Sequence, residues 1–196
     1  MQTRPFFTPR FRKDSLLSLL IIFFLYSVTH NPLTHPTPKP ITGNWSIQFM
    51  QHPLLFGFAG HNYLLLRDGD GNVVSELHGL ATDPQTGNWK YIGSSPTDLL
   101  RVWEFGSSHY YASEKTFPGV ILLQGKEIDI KDRWALAQKC VDPINRKNIP
   151  YPPYGFSLKN ETTNSNAVAY TLAQCMQVDV RHLGIFTPGS AVTLLP

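Results

Sequence analysis

The stretch GHNYLLLRDGDGNVVSELHG, residues 60–79, decides the fold, because it has the pattern of a single β-hairpin. The segment DGDGN at 68–72 is typical of a tight turn, since glycine adopts positive φ at little steric cost. Apolar residues flank it at 63–66 and recur within 73–77. An aspartate-rich loop also has some character of a calcium site. It lacks the glutamate at the twelfth loop position and the flanking helices, so a turn is the preferred interpretation.

The hairpin places two histidines at its open end. His61 and Tyr63 share one face of the first strand, and Glu76 and His78 share one face of the return strand. Two neighbouring imidazoles have the chemistry of a base and its orienting partner, and Glu76 would stabilise an imidazolium better than a second histidine. The alternative is two ordinary histidines at strand ends, which the hairpin taken alone favours.

A second motif, Asn-Ser-Asn at 164–166, opens a predicted helix. Asn and Ser are strong N-cap residues, and the apolar residues Val168, Leu172, Cys175 and Met176 recur at helical spacing. A polar side chain at a helix start lies in a positive field beside free N–H groups, which suits a nucleophile and an oxyanion. Simple capping explains the same residues equally well.

The order of these motifs resembles that of circularly permuted papain-like proteins, such as permuted NlpC-type peptidases and the lecithin–retinol acyltransferase group. The resemblance covers roughly residues 44–177 and consists of Gly-His on a strand, a turn, a return strand ending in His, and a later polar helix start. It implies that His61 is the base, that His78 or Glu76 orients it, and that Ser165 occupies the nucleophile position. The backbone N–H groups after Ser165 would hold the oxyanion.

This sequence departs from that family at the nucleophile, where Ser165 replaces a cysteine. A thiol ionises from a pKa of ~8.5, whereas a serine hydroxyl is far less acidic and must lose its proton to a base during attack. Two interpretations follow. Either the site works as a serine hydrolase, or the domain keeps the fold and has lost the chemistry.

The chain divides into four predicted segments: a basic segment at 1–14, a signal peptide or signal anchor at 15–30, a Pro-rich linker at 31–40 and a folded domain at 41–196. Residues 15–28 carry no charge and follow a basic flank, which predicts an exported domain, secreted or membrane-anchored on the extracytoplasmic side. A buried core helix is the alternative. It is disfavoured, because the segment has no polar face for solvent.

Composition excludes several function classes. The net charge is only +3, and no run of Lys and Arg is interleaved with aromatics in the domain, so nucleic-acid binding is not expected. There is no phosphate loop, GxSxG or HExxH motif, and we predict no cofactor and no metal. Cys140 and Cys175 lack metal-site spacing. They would pair only in an oxidising compartment, and two buried unpaired thiols are the preferred interpretation.

The remaining pattern predicts an α+β domain with an antiparallel sheet packed on two principal helices. Strands are expected at 44–52 and 119–125, and a helix within 127–146 is expected to begin near Asp129 or Asp132. Residues 80–118 are rich in turns and aromatics. We expect these aromatics to fill the core of the domain rather than to line a groove for sugar or lipid.

The expected function is that of a papain-like hydrolase or acyltransferase acting on an amide or ester, with a cell-wall peptide or a lipid as substrate. The first alternative is a non-catalytic binding module on the same fold, with a peptide, glycan or lipid ligand. The second is a small interaction protein that is anchored in the membrane through residues 15–30.

Overall fold

The computed structural model describes residues 41–54, 59–106, 117–156, 162–180, 187–189 and 191–196. Within these ranges, six strands form one antiparallel sheet and two α-helices pack on it, which confirms the predicted α+β class. The basic segment, the signal sequence or anchor, and the Pro-rich linker predicted at 1–40 lie outside the described residues. Those three assignments, like the permuted papain-like topology, stay predictions.

The elements follow one another in a simple order. They are β1 (Trp45–Leu54), β2 (Ala59–Arg67), β3 (Val73–Thr82), β4 (Trp89–Lys90), β5 (Leu99–Gly106), β6 (Gly119–Gly125), α1 (Glu127–Arg146) and α2 (Ser165–Cys175). In the sheet the order is β4-β3-β2-β1-β6, and β5 also pairs with β3. The sequence predicted β1, β2, β3 and β6, but not the pairing of β5 within the turn-rich middle.

The hairpin of β2 and β3 forms as predicted. Tyr63 of β2 lies opposite His78 of β3, so their side chains lie on the same face of the sheet. His61 and Glu76, each two positions away along its strand, lie on that face as well. The turn is held by Asp68, whose Oδ1 accepts from the backbone N–H groups of Asp70 and Asn72 at 3.0 and 2.8 Å. Gly71 has a φ of 86°, which only glycine adopts without strain. These bonds agree with the interpretation as a turn.

The two helices are joined covalently. α1 begins at Glu127, two residues before the first predicted start, and α2 begins at the predicted Ser165. A disulfide links Cys140 of α1 to Cys175 of α2. The preferred interpretation of two unpaired thiols was therefore wrong, because the packing of α1 against α2 brings the two Cα atoms to 6.7 Å, within disulfide reach.

In the described part of the chain, neither helix combines the length and the apolar composition that a membrane crossing requires. The apolar run that predicted an anchor, residues 15–28, is not among these residues.

The sheet buries apolar side chains on both of its faces. On one face Leu64, Leu66 and Leu77 form the main core with residues of the two helices, including Trp134 and Leu172. The other face carries a smaller cluster of Met50, Tyr63 and Leu65, against which Phe117 packs. Below, the first is called the helix face and the second the far face. β2 is thus buried on both sides.

The aromatic residues of the middle segment do not all fill the core as expected. Phe105 is buried on the far face, whereas Tyr91 is 55% exposed. Trp103 is half-buried and donates from its indole to Thr82 Oγ1 at 2.9 Å. Tyr110 and Tyr111 lie outside the described residues.

Candidate functional site

Three of the four predicted site residues form one hydrogen-bonded series on β2 and β3. His61 Nε2 lies 2.9 Å from His78 Nδ1, and His78 Nε2 lies 3.0 Å from a carboxylate oxygen of Glu76. The strand register explains the contact, since His78 lies opposite Tyr63 and His61 is two residues from Tyr63 on the same face. The side chains of the series are at most 2% exposed. The two histidines that the sequence suggested as a pair are therefore part of a hydrogen-bonded series of three side chains.

Aromatic rings hold the two imidazoles in this arrangement. The Tyr63 ring stacks on His78 with ring centroids 4.4 Å apart, and Phe105 meets His78 edge-on at 5.6 Å. The planes of His61 and His78 differ by only 8°. This environment is apolar and dry, which opposes charge on either imidazole.

Burial governs the protonation of both histidines. It lowers the pKa of His61 well below its usual 6.5, with smaller contributions from the neighbouring His78 and His52. It also lowers the pKa of His78 to about 3, and His52 adds to this shift. Both imidazoles are therefore neutral at neutral pH.

Neutral imidazoles restrict the directions of the hydrogen bonds. Each has one N–H and one lone pair, so the two hydrogen bonds run in the same direction along the series, and the protonation of Glu76 sets that direction. With an ionised Glu76, His78 Nε2–H donates to the carboxylate and His78 Nδ1 accepts from His61 Nε2–H. In chemical terms, the series is one carboxyl group and two imidazoles joined in a hydrogen-bonded line.

The series does not form a metal centre. Within the described residues, no group of three His, Cys, Asp or Glu side chains is arranged to hold a metal ion. The nitrogens of His78 bond to its two neighbours in a line, so the three side chains do not converge on one point.

The fourth predicted residue, Ser165, has a different partner. It is the first residue of α2 and is 5% exposed, and its hydroxyl lies close to the phenol of Tyr151. Burial raises the pKa of Tyr151 to about 12, and the neighbouring Ser165 hydroxyl lowers it by a smaller amount. Tyr151 is therefore neutral at neutral pH.

Ser165 and the histidine series lie on opposite faces of the sheet. Side chains alternate along β2, so His61 and Tyr63 share one face and Leu64 lies on the other. Leu64 belongs to the core that includes Val168 of α2, whereas Tyr63 belongs to the separate far-face cluster. The His61 side chain therefore points away from the helix that carries Ser165.

Gly79 gives the same result for β3. A Cβ built on Gly79 would lie 2.6 Å from Val168 Cβ and 2.9 Å from Ser165 Cα, so this residue faces α2 at close range. Its neighbour His78 must then point to the far face. The structure brings His61, His78 and Glu76 together and does not bring Ser165 to them. The catalytic roles of all four residues stay predictions.

The position on β2 that faces the start of α2 is Asn62. Its backbone N–H donates to Asn166 Oδ1 at 2.8 Å, and its side-chain oxygen accepts from Gln51 Nε2 at 3.0 Å. An amide has no basic lone pair in the neutral pH range and does not take a proton from a serine. The helix-face neighbour of Ser165 on β2 thus lacks the chemistry of a general base.

Amide side chains fix the start of α2 in place. Asn164 caps the helix, because its Oδ1 accepts from the backbone N–H groups of Asn166 and Ala167 at 2.9 and 3.4 Å. Its Nδ2 donates to the carbonyl oxygens of Gly155 and Pro188 at 2.8 and 3.0 Å. Asn166 Nδ2 also donates to Pro188 O, at 3.1 Å. The capping interpretation of this motif is therefore confirmed.

A cavity of about 330 Å³ opens at the same place. Its polar lining comes from Asn164, Ser165 and Asn166, and its aromatic lining from Tyr151, Tyr154 and Phe156. Among the described residues, no acidic, basic or histidine side chain lines it. The volume falls within the range of small-molecule sites, which is roughly 300–1,000 Å³.

Sequence reasoning missed Asn62, Tyr151 and Asn166 as functional candidates. The strand pattern held one signal, since Asn62 is a polar residue in the row of Leu64 and Leu66. No local pattern connects Tyr151 to Ser165, because the two residues are far apart in sequence and Tyr151 lies outside α2.

Comparison with known proteins identifies no relative: no family model, no curated protein and no solved structure matches this chain. The likeness to permuted papain-like proteins therefore rests on the order of the three short motifs alone.

Proposed function

We propose that this chain is a non-catalytic binding module that takes a small uncharged ligand in the cavity at the start of α2. One observation carries the proposal: Ser165 lies beside Tyr151 in the lining of this cavity, while the histidine series lies on the far face of the sheet. Acyl transfer by a serine requires a base within hydrogen-bond reach of its hydroxyl. As far as the described residues line it, the cavity offers binding groups without that base.

The cavity has the usual composition of a ligand site. Apolar and aromatic side chains make up most of its wall, and a few buried polar side chains complete it. Those polar groups are held rigidly by the cap of Asn164 and by the bonds of Asn166 to Asn62 and Pro188. A rigid set of polar groups loses little conformational entropy when a ligand binds.

A hydrolase or acyltransferase is the second candidate, and the series His61–His78–Glu76 favours it. A buried carboxylate behind two hydrogen-bonded imidazoles is an arrangement that orients a base. For this candidate Ser165 would have to reach His61 through a rearrangement of α2 against β2 and β3. The close contact of Gly79 with α2 argues against such a movement.

We further propose that the domain works outside the reducing cytoplasm, either secreted or anchored in a membrane through residues 15–30. The Cys140–Cys175 disulfide supports this location, because structural disulfides persist in oxidising compartments. A basic segment followed by an uncharged apolar run points in the same direction.

The binding proposal is tested with the full chain, labelled with ¹⁵N, against a library of small uncharged compounds. We expect binders to shift the backbone amide signals of Gly155, Ser165 and Asn166, which line the cavity. The exposed Tyr91 does not line it, and Tyr91→Ala is therefore the matched control for Tyr154→Ala. Compounds that bind elsewhere, or equally well to both variants, would contradict the proposal.

A further inference from the structure

The buried polar groups that line the cavity offer a limited set of hydrogen-bond donors and acceptors. Asn164 is fully occupied, since its oxygen accepts two N–H groups and its nitrogen donates to two carbonyls. Asn166 uses one N–H on Pro188 and one lone pair on Asn62. Within the described residues this leaves Asn166 with one N–H and one lone pair, because a primary amide has two of each.

Tyr151 and Ser165 add a little to this set. Each of the two residues adds a hydroxyl, which can donate one hydrogen bond and accept others. The cavity therefore offers a few donors and acceptor positions on buried polar groups, and an apolar wall elsewhere. A ligand rich in hydroxyls would leave most of them unpaired there, which is costly.

One acetamido group matches this set. Its carbonyl takes the donors, its N–H meets an acceptor, and its methyl group packs on the apolar wall. It also carries no charge, which suits a lining without charged side chains among the described residues. The first helical N–H groups of α2 are already capped by Asn164, so the helix start does not call for an anion.

Aromatic rings stand at the mouth of the cavity. Tyr154 is 81% exposed and Phe156 is 44% exposed, and both line the cavity. Tyr154 also has a φ of 58°, a conformation that non-glycine residues rarely adopt. Exposed rings beside a polar pocket suit the C–H face of a sugar ring, which has no net charge and a flat apolar side.

We propose that the cavity binds the acetamido group of an N-acetylhexosamine residue in a glycan, with its sugar ring against Tyr154 and Phe156; this inference rests on the proposed function. The distinguishing features are the acetamido group inside the cavity and the ring stacking at its mouth. A fatty acyl chain would contact the apolar wall and make no hydrogen bonds to the polar groups of the cavity. A peptide would use the polar groups without needing the exposed rings.

The test is isothermal titration of the full chain with three oligosaccharides of equal length. The first is the tetramer of N-acetylglucosamine. The other two lack the acetyl group: the tetramer of glucose carries a hydroxyl at C2 of each ring, and the tetramer of glucosamine carries an ammonium there. We expect the acetylated tetramer to bind at least about tenfold more tightly than the other two. Tyr154→Ala should weaken it by about tenfold, and the control Tyr91→Ala should leave it unchanged.

The outcomes separate this inference from the proposed function. If the glucose tetramer binds as tightly as the acetylated one, the acetamido assignment is overturned. If only an acyl chain or an acetylated peptide binds in a manner sensitive to Tyr154→Ala, the glycan is overturned while the binding module stands. If no compound of the library or of this series depends on the cavity residues, both proposals fail.

Discussion

His61 and Ser165 lie on opposite faces of one sheet, although the chain order of their motifs resembles that of a base and its nucleophile. The His61 side chain shares the far face with Tyr63, and Ser165 begins a helix that packs on the helix face. In this geometry the series of His61, His78 and Glu76 acts as a buried polar element of the sheet. Four consequences of these contacts can be measured directly.

Stability depends on pH through the two buried histidines. Their pKa values are lower in the folded chain than in the unfolded chain, so above about pH 6.5 both states are neutral and the stabilisation is complete. As the pH falls below 6.5, only the unfolded chain binds protons. We expect the free energy of unfolding to fall by about 1.4 kcal/mol per pH unit for each histidine. Urea unfolding between pH 7.5 and 5 measures this slope.

The matched variant for that experiment is His78→Gln. It removes one of the two titrating groups, so the slope should fall by about half even though the variant is less stable at every pH. A slope between pH 7 and 5 that equals that of the wild type would show that His78 binds a proton as readily in the folded chain as in the unfolded chain, against the direction given by its burial.

The hydrogen-bond directions predict specific tautomers. If Glu76 is ionised it can only accept, and both His61 and His78 are then neutral with the proton on Nε2, which is the arrangement we expect. Nitrogen-15 spectra of histidine side chains distinguish the two tautomers at pH 7. Glu76→Gln should keep these tautomers, because the amide oxygen still accepts, and should lower the stability by about 1–2 kcal/mol. A proton found on Nδ1 of His78 would reverse the assignment.

Gly79 tests the packing of α2 on the sheet. Gly79→Ala puts a methyl group where Val168 and the backbone of Ser165 already lie, and it should cost about 1–3 kcal/mol of unfolding free energy. Gly106→Ala is the control, since a Cβ there meets nothing within 4 Å. Thermal melts of the two variants should differ by several degrees. Equal melting temperatures would mean that α2 does not approach β3 this closely.

The disulfide contributes stability by restricting the unfolded chain. A bridge across 35 residues is worth about 2–4 kcal/mol in the loop-entropy model. We therefore expect Cys140→Ser with Cys175→Ser to lower the unfolding midpoint in urea, and dithiothreitol to lower it in the wild type but not in this double variant. An oxidised wild type that unfolds like the double variant would show that the bridge does not form in solution.

The hairpin and the helix starts were predictable from sequence, because turn residues, N-caps and alternation are local signals. The alternation also predicted that His61 shares a face of its strand with Tyr63, and that Glu76 and His78 share a face of theirs. The choice of face was not predictable, because Tyr63, Leu64, Leu65 and Leu66 are all apolar and either row could have met the helices.

The cavity was not predictable for a different reason. Tyr151 lies before α2 in sequence and Pro188 lies after it, yet both line the cavity together with Ser165. These contacts connect segments that are far apart in sequence, and no short motif encodes them.

The most direct measurement is the reaction of the full chain with a fluorophosphonate, followed by intact mass spectrometry, with a known serine hydrolase in a parallel reaction as positive control. Because Ser165 lies beside Tyr151, and no imidazole of the described residues lies on its face of the sheet, we expect no adduct on the folded wild type. An adduct that disappears in both Ser165→Ala and His61→Ala would contradict this, and would establish an activated serine that draws on a base from across the sheet.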